Sequence, residues 1–224
     1  SYDLLKDVES RLFAGLSVFS GDFTLRAAEA LIPPTGENPP ILDLLHALVN
    51  KSLVIADVTG ELTAFRMLEP VRQYAASMLS DIEAAELRAL QAEYLLALAR
   101  DAANEWRGPL RKKWSRCLDA ERCNISAVLH NSLLDGRISA ALELSALLWW
   151  WWSNAPREGL GWYRKVLSCV SRVQGAFTSR EVLPTLLSAA VIASYLSPQE
   201  AMNYAERARS AAEEIGDALS TVRA

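Results

Sequence analysis

Residues that carry chemistry are scarce in this chain. It has two histidines, His46 and His130, and three cysteines, Cys117, Cys123 and Cys169. A zinc site needs three or four ligands at suitable spacing, and the five residues between Cys117 and Cys123 lead to no second pair. So few histidines leave no Ser/His/Asp set and no Cys/His pair for nucleophilic catalysis. Three cysteines make no disulfide framework, so a reducing cytoplasm is the expected home. No Gly-x-x-x-x-Gly-Lys-Ser/Thr occurs, so the P-loop phosphate cradle is missing. No signal peptide is recognisable. The longest apolar run, 140–152, contains Glu143 and Ser145 and is too short to span a bilayer, so no membrane contact is expected. A net charge of −4 argues against bulk affinity for nucleic acid or anionic lipid. The expectation is a chain that is not itself an enzyme. It starts at Ser1 without methionine and stops inside a helical pattern at Arg223-Ala224, which reads as a piece of something longer.

What is present is apolar and helix-forming. Hydrophobic residues make up 51% of the chain, and alanine and leucine dominate, so the fold class expected is mainly α. Two halves differ in character, divided as 1–82 and 83–224. In the first, Leu5, Val8, Leu12, Leu16 and Phe19 make one helix face. Thr24 caps a second short helix through Leu31. The Pro33–Pro40 segment is a loop, and Ile41, Leu42, Leu45, Leu48 and Val49 define a third helix. Residues 53–57 and 62–67 read as strands around a turn at Val58-Thr59-Gly60. Pro70 then suits a first helical turn, with Glu69 adding negative charge at that helix start and Val71, Tyr74, Ala75 and Met78 at helical spacing. Three helices, a hairpin and a helix make the order of a winged-helix domain.

The second half is helical throughout. Leu87, Leu90, Tyr94 and Leu98 form one stripe, Ile138, Ala141, Leu142, Leu148, Trp149 and Trp152 another, and Ala201, Tyr204, Ala205, Ala208, Ala212 and Ile215 a third. Breaks fall at Gly108-Pro109, Asp135-Gly136, Pro156, Gly175 and Ser197-Pro198, as in antiparallel helical hairpins. Gly161-Trp162-Tyr163 and Met202-Asn203-Tyr204 open comparable helices, which suggests a TPR-like superhelical array. Charge divides too: residues 1–95 carry seven Lys/Arg and fourteen Asp/Glu, while 96–224 carry sixteen and thirteen.

Several separated segments resemble one family. Ser1–Leu5, Arg11–Ala30 (Arg-Leu-Phe-Ala-Gly-Leu-Ser-Val-Phe-Ser-Gly-Asp-Phe-Thr-Leu-Arg-Ala-Ala-Glu-Ala), Leu42–Ala56, Phe65–Ala75 and Glu121–Leu129 (Glu-Arg-Cys-Asn-Ile-Ser-Ala-Val-Leu) look like the part that follows the nucleotide-binding core in bacterial STAND regulators. The resemblance implies a parent ATPase switch that handles ATP or ADP and regulates transcription. In it the winged helix is a lid on the chain's own nucleotide-binding core. The helical array is a sensor for a protein or small-molecule inducer. DNA would be met only through a domain outside this chain, and no cofactor would sit within it. Met67, Leu68 and Glu69 align with the Met-His-Asp motif of related plant and animal ATPases, whose His reads the ADP phosphates. Leu68 departs from that pattern, because an alkyl side chain cannot hydrogen-bond phosphate; Glu69 as a helix cap is the plainer reading.

Other readings compete. A self-contained winged-helix transcription factor would read DNA with the third helix, but that helix offers Asp43, His46 and Asn50 with only Lys51 positive, whereas phosphate neutralisation needs several cations. Arg107, Arg111 and Lys112 lie between Trp106 and Trp114 and could bind an anionic partner or simply face solvent. In Trp149-Trp150-Trp151-Trp152 the helical phase of Ile138 and Leu142 puts Trp149 and Trp152 in the core and Trp151 on a second buried face. Trp150 is then the residue expected to reach a groove, where a small ligand would sit.

Overall fold

Alternation of helix-formers and turn residues gives twelve helices and one small sheet in the computed structural model, which describes residues 5–32, 39–58, 63–173 and 175–216. The chain divides into two compact units. One holds residues 1–95 and 116–128, the other 96–115 and 129–224.

The first unit opens with α1 (Asp7–Gly15), which runs into a 3-10 turn at Leu16–Val18. A two-residue strand β1 (Phe23–Thr24) leads to α2 (Leu25–Leu31), and α3 spans Ile41–Asn50. Then come β2 (Ile55–Asp57), β3 (Ala64–Arg66) and α4 (Glu69–Ala76). Thr24 caps α2 as expected, its hydroxyl accepting from the Ala27 N–H at 3.2 Å. The expected turn at Thr59-Gly60 and the loop at 33–38 lie outside the described residues. The strand β1 was not legible in the sequence. It pairs antiparallel with β3, placing Phe23 opposite Phe65, and gives the sheet order β1-β3-β2. The sheet buries one face: Phe65 stacks on Phe23 at 6.0 Å and Phe23 on Phe19 at 4.6 Å. Leu12, Leu16, Leu45 and Leu48 complete that core from α1, the turn after it and α3. Each such side chain, fully buried, contributes about 1.5–3 kcal/mol.

The long helix α5 (Asp81–Glu105) and helices α6 (Arg111–Ala120) and α7 (Arg122–Leu134) supply residues to both units. In the second unit follow α8 (Ile138–Leu147), α9 (Trp149–Trp152), α10 (Pro156–Arg172), α11 (Ser179–Ser194) and α12 (Pro198–Glu214). The breaks read from Gly108-Pro109, Asp135-Gly136 and Gly175 fall between these helices, and Pro156 and Pro198 are the first residues of α10 and α12. From α5 to α12, two breaks are not signalled by glycine or proline, one at Glu121 between α6 and α7 and one at Leu148. At Leu148 the backbone (φ −91°, ψ 3°) ends α8, and α9 restarts in a new phase. A helix leaves its last carbonyls without intrahelical donors. Here the Tyr163 hydroxyl donates to the Ser145 carbonyl at 2.9 Å and the Ser188 hydroxyl to that of Ala146 at 3.2 Å.

That restart corrects the reading of the four tryptophans. Trp150 is buried at 1% exposure, with Trp151 and Trp152 beside it in the core, whereas Trp149 is only half-buried. The phase of Ile138 and Leu142 does not carry across Leu148, so the outward position moves by one residue. Space for Trp152 comes from Gly159 on α10: a Cβ there would lie 2.7 Å from the Trp152 Cβ.

Candidate functional site

Three places were singled out by the residues. The first is the exposed face of α3. Ile41, Leu44, Leu45 and Leu48 are buried, which leaves Leu42, Asp43, His46 and Asn50 outward. Lys51, the cation at its end, is engaged elsewhere. Its Nζ donates to Glu9 Oε2 at 2.6 Å, and Glu9 is covered by the fold at 5% exposure. The Lys51 hydrogen bond, with a second from the Lys6 N–H at 2.8 Å, holds the Glu9 carboxyl below the usual carboxylate range. That pairing stabilises the unit above the unfolded value near 4.5 and is lost as pH falls through the lower folded value. Lys51→Met should abolish this part of the pH dependence, which urea melts at pH 3 to 7 would show.

The second place is the junction of β3 and α4. Met67 is half-buried, and Leu68, in the extended N-cap position of α4, is 53% exposed. Glu69, the first residue of α4, faces forward along its own helix. Arg72 donates to it through Nε at 2.9 Å and Nη2 at 2.8 Å, and Gln73 Nε2 donates at 2.8 Å. The Arg72 bond and then the Gln73 bond lower the carboxyl to about 2. Arg72 Nη1 also donates to the Ser17 carbonyl at 3.2 Å, which ties α4 to the turn after α1. Pro70 removes one N–H from the helix start. These side chains do not suit a phosphate: Leu68 has no donor, Glu69 is anionic, and two guanidinium nitrogens of Arg72 are turned to Glu69. Their chemistry is that of a helix start pinned to its domain. Arg72 stands three residues after Glu69, a helical pairing spacing, but no signal pointed to Ser17, because its link to Arg72 crosses 55 residues.

The third place is the basic and aromatic cluster of the second unit. The Arg107 and Arg111 guanidinium carbons lie 4.7 and 5.9 Å from the centre of the Trp106 ring. Trp106 packs edge-on against Trp149 at 4.9 Å. The Trp114 indole donates to Glu105 at 2.7 Å, and Lys112 is exposed. Trp150 is not brought to this cluster's surface; its half-buried neighbour Trp149 is. Among the described residues no group of three or more His, Cys, Asp and Glu could hold a metal ion, and no helix is long and apolar enough to cross a membrane.

With that geometry in hand, the helix order, the central β3 and the buried face of α3 match a known pattern. Residues 5–80 match the family described as winged helix-turn-helix domain. These residues form a winged helix. Its third helix is α3 and its wing the β2–β3 hairpin. The whole chain is also 32% identical, over 233 aligned positions, to proteins of Mycobacterium bovis and Mycobacterium tuberculosis named provisionally as HTH-type transcriptional regulators. The match takes in 100% of this chain but 26% of each relative, so the chain spans about a quarter of their length. No solved structure matches the chain.

Proposed function

We propose that this chain is the regulatory part of a larger STAND-type ATPase and transcriptional regulator. The winged helix is its moving lid and the helices after it are a TPR-like sensor array, the two divided near residue 82. The observation that carries this reading is the state of α3. A DNA-reading helix needs free cations for phosphate, and here Lys51 neutralises Glu9 while Leu42 and Asp43 occupy the outward face. A helix so furnished suits packing against protein. ATP or ADP would be held by the parent's nucleotide-binding core. Met67, Leu68 and Glu69 would register its position through the pinned start of α4 rather than by touching phosphate. The exposed Arg107, Arg111 and Lys112 would face an inducer or partner.

A winged helix that reads DNA directly is the second reading, favoured by the match over residues 5–80. A titration of mixed-sequence duplex DNA from 50 to 200 mM salt separates the two. The lid reading expects binding no tighter than about 10⁻⁴ M with a shallow salt slope. Sub-micromolar binding that falls by about 10³ or more across that range, as six or more phosphate contacts would give, would favour the second.

A further inference from the structure

Two segments far apart in sequence, Ser20-Gly21-Asp22 and Glu121-Arg122-Cys123-Asn124, meet inside the first unit. The Asn124 side chain is fully buried and joins them. Its Oδ1 accepts from the Ser20 N–H at 3.0 Å, and its Nδ2 donates to the Asp22 carbonyl at 2.8 Å and to Glu121 Oε2 at 2.7 Å. Between them Gly21 is pressed so close that a Cβ would lie 2.7 Å from the Cys123 Cβ. Glu121 is 3% exposed, and its other oxygen accepts from the Tyr94 hydroxyl at 3.4 Å. Both donors to this carboxyl are neutral. A buried carboxylate without a cation beside it is costly, whereas the protonated acid keeps an oxygen to accept from Asn124.

We propose that the Glu121–Asn124 elbow is a proton-operated latch on the Ser20–Asp22 loop, tight while Glu121 keeps its proton and loosened when the proton leaves to solvent.

The surrounding groups favour Glu121 as the switch. Burial raises its carboxyl to about 7, against the opposing pull of the Asn124 and Tyr94 hydrogen bonds. From α5 it faces Tyr94, whose phenol burial pushes to about 12, so it stays neutral throughout. Beyond Tyr94 lies Arg26 of α2, and the loop itself carries Asp22. On its own side Asp119 and Arg122 pair at 2.6 Å, and Cys123 is exposed. The sign follows. The closed latch holds a proton that an open, solvated Glu121 releases near 4.5, so closure weakens as pH rises from that value through about 7. The latch lies in the segment 116–128, from which α7 runs on to Leu134, so its state sets how firmly this stretch is tied to the loop after α1.

Amide exchange of Ser20, corrected for intrinsic rates, tests the latch. Its protection in the unmodified chain should fall roughly tenfold or more between pH 5 and 8. Glu121→Gln, which mimics the protonated acid, should stay protected at pH 8 with no such fall, and Asn124→Ala should be unprotected at both. Equal protection at pH 5 and 8, or the unmodified pH dependence persisting in Glu121→Gln, would overturn the proposal. Should either variant not fold, a carbon-13 titration of the Glu121 carboxyl in the unmodified chain decides alone. A midpoint above about 6 supports the latch, and one below it refutes it.

Discussion

Replacing Trp152 with alanine should cost the second unit about 3–5 kcal/mol, among the largest losses any single change would produce. The side chain is 1% exposed, packs edge-on to Tyr163 at 5.4 Å and lies 6.1 Å from the Trp151 ring. Truncation leaves a cavity that the surrounding helices cannot fill without moving α10. The reciprocal change, Gly159→Ala, should cost about 1–3 kcal/mol by overpacking, because the new Cβ meets the Cβ of Trp152, an atom fixed to the backbone. Alanine at 152 keeps that Cβ, so Trp152→Ala should not rescue Gly159→Ala. All seven tryptophans fall within residues 96–115 and 129–224, so urea unfolding followed by their fluorescence reports on this unit. A loss under 1 kcal/mol for Trp152→Ala would show that the tryptophan run is not the core described above.

Phe65→Ala should cost the first unit a similar amount, about 3–5 kcal/mol. Phe65 is the buried residue of β3, the middle strand, and closes the ring stack that runs through Phe23 to Phe19. Losing it removes the side chain that holds β1 against β3 and frees the start of α4 four residues on. In this variant, amide exchange at Phe23 and at position 65 should rise toward unfolded rates well before that in the tryptophan-rich helices. Unchanged exchange there would mean that the sheet is held by something other than this stack.

Much of this architecture was readable from residue order. Thr24 announced α2, Pro70 announced α4, and the Gly and Pro breaks set the later helices, because capping and backbone chemistry are local. What escaped was non-local or a matter of phase. The two residues of β1 are strand only because β3 lies beside them. The restart at Leu148 carries no glycine or proline, so the helical phase was carried too far and Trp150 was placed outward. The latch was hidden for the same reason: Asn124 and Ser20 are 104 residues apart, and nothing in either segment names the other. At the β3–α4 junction, the departure of Leu68 from its motif was visible at once, and Arg72 and Gln73 stand at helical pairing distance from Glu69; the Arg72 bond to the Ser17 carbonyl, 55 residues away, was not readable.

The central claim is that the winged helix and the helices after it relay position to a nucleotide-binding core. Release of labelled ADP from the parent's separately produced core, with and without this chain added, tests it most directly. The added chain should bind the core and slow ADP release by tenfold or more, an effect on the order of 1.4 kcal/mol. No binding, or release at the same rate with the chain present, would contradict it.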